Sequence, residues 1–269
     1  MARRVLNWTL LALLGLSVLG FATMDTKGVD LGKAAVQTLR YFALLFGSPR
    51  AVPSHFATMG MERLPTLLAA LRFVLITLAL AFLTTLLGAV VSLFLGLLAA
   101  RNLTSQRLSN AIKSVVSVVR AIPTVLWVLI FAIGAGLGSV AAVIGMSFHT
   151  VGQLLKNYSE SFEELDAGVI EALRASGASW LQIVFQAVLP SSLTYLLSWT
   201  FIRFETNFEV AVAMGAAAGA GGIGFQLYMA GGRFFDIREV GYITWILLGV
   251  ALAMELLATR LRSRYHLQE

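Results

Sequence analysis

The chain has 269 residues, 58% of them hydrophobic and only 13% charged, against about 25% charged in an average soluble domain. At about 20 apolar residues per helical span, a chain of this length holds about five to seven membrane crossings and no large soluble domain. Its net charge of +6 lies mostly in short clusters beside apolar runs, as in a membrane protein oriented by its loops rather than a nucleic-acid binder. With no cysteine, disulfides, thiolate metal sites and thiol nucleophiles are excluded.

Arg3 and Arg4 precede an apolar run from Val5 to about Met24. The run exceeds the ~7–15-residue core of a cleaved signal peptide, and no small-x-small cleavage site clearly follows. It reads as an uncleaved first span with its N-terminus inside. Residues 25–72 form a mixed outer segment, in which Val36, Leu39, Ala43 and Phe46 recur at helical spacing as an amphipathic stretch. Ser48-Pro49 and Val52-Pro53-Ser54 mark loops, and the neighbouring His55 reads as a solvated loop histidine rather than a metal ligand.

Phe73 to Ala100 is almost uninterrupted apolar sequence. As a helix it is about 42 Å long, more than a ~30 Å hydrocarbon core, so it must tilt or protrude. A third span is expected from about Ser114 to Ile133, kinked by Pro123, and Gly134 to Gly138 form an outer turn. The fourth, from about Val140 to Leu155, carries His149, which either hydrogen-bonds between helices or meets substrate.

A polar segment, residues 156–190, follows, with Ser161-x-x-Glu164 as a capping-box signature near its start. Asp166 can cap a short helix from about Ala167 to Ser176, with Ile170 and Leu173 on one face and Gly177 as the left-handed residue that ends it. Ser179 and Gln182 form a second capping box, and Pro190 leads into a new apolar run. A helix of about ten residues is marginal alone, so it must rest on something. Between two spans on the inner side, it reads as a docking knob. The fifth span runs from Ser191 to about Met214 and the sixth from Gly241 to about Thr259, followed by Arg260, Arg262 and Arg264. The basic clusters at 3–4, at 101–113 and at the C-terminal end fall on one side, which puts both termini in the cytoplasm. The basic residues of the outer segment run against this, but long loops translocate largely regardless of charge.

Glu171-Ala172-Leu173, then Gly177, then Leu189-Pro190, resembles the EAA loop of ABC importer permeases, departing from it at Leu173 and Ala187. Four further stretches resemble the permeases that import phosphonates and related phosphorus oxyanions. They are Arg120-Ala121-Ile122-Pro123-Thr124, His149-Thr150-Val151-Gly152, Arg203-Phe204-Glu205-Thr206-Asn207 and Gly219-Ala220-Gly221-Gly222-Ile223-Gly224. The resemblance covers the chain from about Leu64 onward. It implies an all-α, polytopic, type I ABC importer permease fold with about six transmembrane helices, a single permease domain over residues 1–269. It also implies a bacterial inner-membrane location and work as half of a dimeric pore. The implied partners are a second permease subunit, identical or paralogous, two ATP-binding subunits, an extracytoplasmic phosphonate-type binding protein and membrane lipid, with no nucleic acid. Glu171, Ala172, Leu173, Arg174 and Gly177 would couple to the ATPase.

Gly219-x-Gly221-x-x-Gly224 matches the dinucleotide fingerprint literally. That motif needs a strand before it and a helix after it, whereas here it follows an apolar span, so the nucleotide reading fails. There is no GxxxxGK[ST] loop, no HExxH and no pair of carboxylates near a histidine. No catalytic residue, cofactor or metal is therefore expected, and any ATP is hydrolysed by a partner. A channel subunit or a membrane-embedded enzyme is the competing class, and a channel has no need of a docking helix. Gly215 and Gly219 permit close helix approach, while Gly221, Gly222 and Gly224 permit a turn or a hinge, with packing and gating as alternatives. Arg203, Glu205 and Glu209 lie inside the fifth span, where ionisable groups are costly and face a bundle interior or a water-filled path. Arg203 and Asn207 share one helical face, and Glu205 and Glu209 nearly the opposite one, so not all can line one pore. These four and the three glycines are the candidates for pathway or gate. Asn207 can meet an oxyanion without a charge penalty. Glu209 stands where related permeases often carry a basic residue, which runs against an anionic substrate. Phosphonate, phosphite and phosphate remain alternatives.

Overall fold

A computed structural model describes residues 2–23, 28, 30–49 and 66–266, and every regular element among them is helical. The chain divides into two compact units, Met1–Ala43 and Leu44–Glu269. In the first unit, α1 (Ala2–Thr23) is exposed along the whole of its described length while carrying Leu and Val on all sides. A helix apolar all round is a membrane helix rather than a surface one. The expected amphipathic helix is α2 (Leu31–Gly47), started by Asp30, whose carboxylate accepts from the Lys33 amide at 3.1 Å. The loop signals at Val52–Ser54 and His55 lie outside the described residues.

The second unit is built around α3 (Thr66–Ala99) and α6 (Ser139–Glu163), the two most extensively packed helices. Leu80, Ala81, Val128, Ala142, Met146, Phe208 and Met214 make the central core. A side chain at Gly145 of α6 would lie 2.5 Å from the Val128 Cα, so α5 (Thr124–Ala135) is held backbone-close to it. Among the described residues, four helices are long and apolar enough to cross a membrane: Arg4–Thr23, Leu67–Ala99, Trp180–Ala217 and Ile237–Arg260. α4 (Gln106–Ala121) and α5, bent at 86°, are together long and apolar enough for a fifth. α6 has 25 residues, about 37 Å of helix, and falls short on apolarity alone, because His149, Gln153, Lys156 and Glu160 interrupt it. The described residues thus hold four such helices, or five with the bent pair, against the six or so expected.

Three local expectations change. The third span is broken rather than kinked: α4 and α5 meet at 86°, with Ile122 extended (φ −84°, ψ 123°) and Pro123 heading the new helix. Proline disfavours the helical conformation for the residue before it, and here that restriction wins. Ser161 is no cap; it lies within α6 and bonds back to the Asn157 carbonyl at 2.9 Å. Nor does a span begin after Pro190, because α8 (Trp180–Ala217) runs unbroken through it. A π-helical turn at Val184–Val188 makes room, with the Leu189 amide reaching back to the Val184 carbonyl and the Ser191 hydroxyl covering the Ala187 carbonyl at 2.7 Å.

After α8 the chain reverses through Gly219 (φ +61°), Gly221 (φ +81°) and Gly222 (φ +70°) into α9 (Gly222–Tyr228), and α10 (Ile237–His266) closes the bundle. The Ile223 amide donates to Thr77 Oγ1 on α3 at 3.0 Å. A β-carbon on Gly224 would overlap the Val212 carbonyl, and one on Gly222 the Thr77 hydroxyl. These two glycines are therefore contact points of a tight reversal, while Gly221 supplies its left-handed backbone. Gly224→Ala is expected to overpack this contact by about 1–3 kcal/mol and to lower the thermal midpoint of the purified permease. Gly249→Ala, with open space around it on α10, should leave the midpoint unchanged.

Candidate coupling helix and intramembrane cation cluster

The short helix expected at residues 167–176 is α7 (Ala167–Ala175). Asp166 caps it, accepting from the Gly168 amide at 2.8 Å. Its C-terminus is a Schellman motif: Gly177 (φ +83°) donates to the Arg174 carbonyl and Ala178 to the Leu173 carbonyl, both at 3.0 Å. The Ser179–Gln182 capping box is complete and starts α8. Ile170, 2% exposed, plugs α7 into a core of Leu97, Leu103, Leu154, Phe162 and Val184.

Two bonds tie this knob to the loop joining α3 and α4. Arg174 donates to the Asn102 carbonyl at 2.8 Å, and the Trp180 indole donates to the Leu103 carbonyl at 3.1 Å. Asn102 in turn donates to the Phe162 carbonyl at 2.8 Å. The five expected coupling residues thus divide. Leu173 packs inward and Arg174 holds the loop, while Glu171, Ala172 and Gly177 stand on the exposed side with Val169 and Ser176.

Inside the bundle, Asn207 is fully buried and fastens three helices. Its amide nitrogen donates to Thr85 of α3 at 2.9 Å, and its oxygen lies 3.1 Å from the Thr150 hydroxyl of α6. Both polar ends are taken up by protein, so in this conformation Asn207 meets no solute. Arg203, one turn earlier, donates through Nε to Thr150 at 3.4 Å. The shared face expected for Arg203 and Asn207 is real and turns toward α6. Glu205 lies on another side, lining a cavity of about 110 Å³ with Phe201, Phe204 and Met254, and Glu209 is exposed.

His149, for which a substrate contact was one alternative, and Arg120, quoted above only within a motif, complete the picture. His149 of α6 lies within electrostatic reach of both Arg203 and Arg120. Its Nε2 is 3.5 Å from the Gln153 amide nitrogen, and the ring is enclosed with the Ile122 backbone within hydrogen-bonding reach. Arg120, at the last turn of α4, lays its stem across Gly152, where a β-carbon would come within 2.7 Å of Arg120 Cγ. Its Nε is enclosed and unpartnered among the described residues. Neither arginine has a carboxylate at ion-pair distance among those residues. The available signal was the glycine three residues after His149, a small residue over which a long side chain can lie.

Uncompensated polar groups inside a bundle of spans, with a braced helix exposed at one end, define a multi-pass transport permease. The chain belongs to the family of binding-protein-dependent transport system inner membrane components, whose model matches residues 92–264. It is 32% identical over 190 residues to the phosphite transport system permease protein PtxC of Stutzerimonas stutzeri, covering 70% of this chain and 68% of that one. It is 30% identical over 234 residues to the phosphate-import permease protein PhnE of Mycolicibacterium smegmatis, covering 85% of this chain but spanning only 42% of that relative's length. Among solved structures it resembles a chain of the inward-facing MetNI methionine ABC transporter, with a TM-score of 0.65 and 25% identity over 72% of this chain and 94% of that one. A bacterial ABC transporter that imports alginate shares the fold (TM-score 0.65, 17% identity, 98% and 97% coverage). The all-α permease fold is thus established, and this chain is a transport permease of the ABC importer class.

Proposed function

We propose that this chain forms half of the pore of an ATP-driven importer whose substrate is a phosphorus oxyanion: phosphonate, phosphite or phosphate. The observation that carries the coupling part is α7, whose exposed edge of Val169, Glu171, Ala172 and Ser176 is braced from behind by Ile170, Arg174 and Trp180. A nine-residue helix is too short to be stable by itself. Its bracing makes sense as a fixed knob for an ATP-binding subunit. The substrate part is supported by relatives named for phosphite and phosphate import. The solute reaches the permease from a binding protein outside, and a second permease subunit completes the pore. Both termini and α7 face the cytoplasm in this reading.

The test begins with orientation. The natural chain has no cysteine, so Ser176→Cys on the exposed edge of α7 supplies a single thiol in the permease. An impermeant maleimide is expected to label it in inside-out vesicles and not in intact cells. The same permease, coexpressed with a candidate cognate ATPase and binding protein, should copurify with the ATPase. It should also import at least one of the three oxyanions in proteoliposomes. Labelling from outside, or a copurified complex that imports none of them, would overturn the corresponding half of the proposal.

A further inference from the structure

The geometry points to an oxyanion-holding station inside each protomer, made by Arg120, His149 and Arg203 with Gln153, and opening through Arg120 into a basic cavity at the end of the bundle that carries α7. This rests on the phosphorus-oxyanion reading above and adds where, within the permease, the anion is held. Three separate stretches of sequence bring these groups together: the last turn of α4, one face of α6 and the middle of α8.

Ionisable side chains within a span are costly unless paired or facing water. Here two guanidinium side chains meet one stretch of α6, Arg203 at Thr150 and Arg120 across Gly152, with His149 on the same turn, and neither guanidinium has a carboxylate at ion-pair distance among the described residues. Thr150 takes only the Nε of Arg203, which leaves the terminal nitrogens of that fork for another acceptor. The Nε of Arg120 is enclosed without a partner among the described residues. Neither guanidinium fork is filled by a carbonyl or a carboxylate among the described residues. The missing partner is an acceptor of several hydrogen bonds with negative charge, and a tetrahedral oxyanion meets that description.

Arg120 also lines a cavity of about 310 Å³ between α4 and α6, whose charged wall is Arg101, Lys113, Arg120 and Lys156 against Glu160 and Glu163. Both carboxylates are engaged, Glu163 by Lys113 at 2.7 Å and by the Arg101 amide at 2.8 Å, and Glu160 by Lys156 at 3.6 Å. The guanidiniums of Arg101 and Arg120 are left to set the sign of the cavity. An anion released from the station therefore finds positive charge on its way out, with Arg120 common to both places.

Ser117 is exposed and lines the same cavity, so Ser117→Cys gives a reporter that does not depend on transport. The complete complex, in phosphatidylcholine nanodiscs, is labelled with a maleimide in inorganic phosphate, phosphite or methylphosphonate, against chloride at matched ionic strength. At twice the dissociation constant, at least one oxyanion is expected to slow labelling about threefold, since accessibility falls as 1 + [L]/Kd. Arg120→Gln and His149→Gln should each remove most of that protection. Arg203→Gln should too, and Arg203→Lys, which keeps the charge, should keep part of it if the glutamine variant fails to assemble. No protection by any of the three anions would overturn the station, as would unchanged protection in Arg120→Gln and His149→Gln. So would protection that follows added phosphatidylglycerol rather than soluble anion, which would make this a lipid-headgroup site. Protection in a complex that imports none of the three would leave the station standing and overturn the substrate reading instead.

Discussion

Gly177→Val is expected to abolish substrate import while leaving the amount of permease in the membrane near normal. Gly177 sits at φ +83° with open space around it, so the penalty is conformational and not steric crowding. A left-handed backbone costs an ordinary L-residue about 1–2 kcal/mol, and a β-branched one more. The chain can escape that cost only by leaving the left-handed region, which breaks the Gly177–Arg174 and Ala178–Leu173 bonds, each worth about 0.5–1.5 kcal/mol. Nine residues of helix do not survive that loss in one fixed pose. The bundle behind it keeps its core, because Gly177 touches none of it. Gly177→Asn is the control: asparagine visits the left-handed region readily, so it should retain a substantial part of import. The readouts are import, membrane level and stimulation of ATPase activity by loaded binding protein. Normal import by the valine variant would show that the pose of α7 does not matter for coupling.

Asn207→Ala is expected to fail in a different way, by loss of folded permease. The fully buried side chain joins Thr85 of α3 to Thr150 of α6. Interhelical hydrogen bonds in membranes average about 0.6 kcal/mol and reach about 1.7. Two of them, with the void left by truncation, come to roughly 2–3 kcal/mol. Thr85 and Thr150 stay bonded to the carbonyls of Ala81 and Met146, which keeps the loss from growing further. At about 2–4 °C per kcal/mol for a chain of this size, the thermal midpoint should fall by several degrees. Glu209→Gln, on an exposed position, should leave it in place. A stable Asn207→Ala permease with poor import per complex would instead assign Asn207 to the translocation path.

The parts legible in sequence were those decided within a few residues. Asp166, Gly177 and the Ser179–Gln182 pair act on backbone groups one turn away, and each does in the structure what its residue type suggests. The face arithmetic on α8 also held, since a 3.6-residue repeat fixes which side chains share a side. The prolines show where such reasoning stops. Pro123 ends a helix outright, while Pro190 is absorbed by a π-helical turn and a serine hydroxyl. The local rule is identical in both cases; what lies above and below the proline decides the outcome. The convergence of Arg120, His149 and Arg203 was illegible for a related reason. It depends on how α4, α6 and α8 pack, which couples positions 29 and 54 residues apart along the chain.

The unbroken passage of α8 through Pro190 makes it a lever. Trp180, bonded to the loop beside α7, and Arg203, bonded to Thr150, belong to one rod, about 35 Å apart at ~1.5 Å per residue. If the knob end is tipped by about 5°, the Arg203 end travels about 3 Å over that length. That stroke matches the 3.4 Å span of the Arg203–Thr150 contact, so a few degrees of tilt is enough to let it go. The π-helical turn at Val184–Val188 lies close to the handle and leaves the rod continuous. Beyond it the helix is continuous to Ala217. A small rotation delivered at one end therefore arrives at the other as a make-or-break event of hydrogen-bond size.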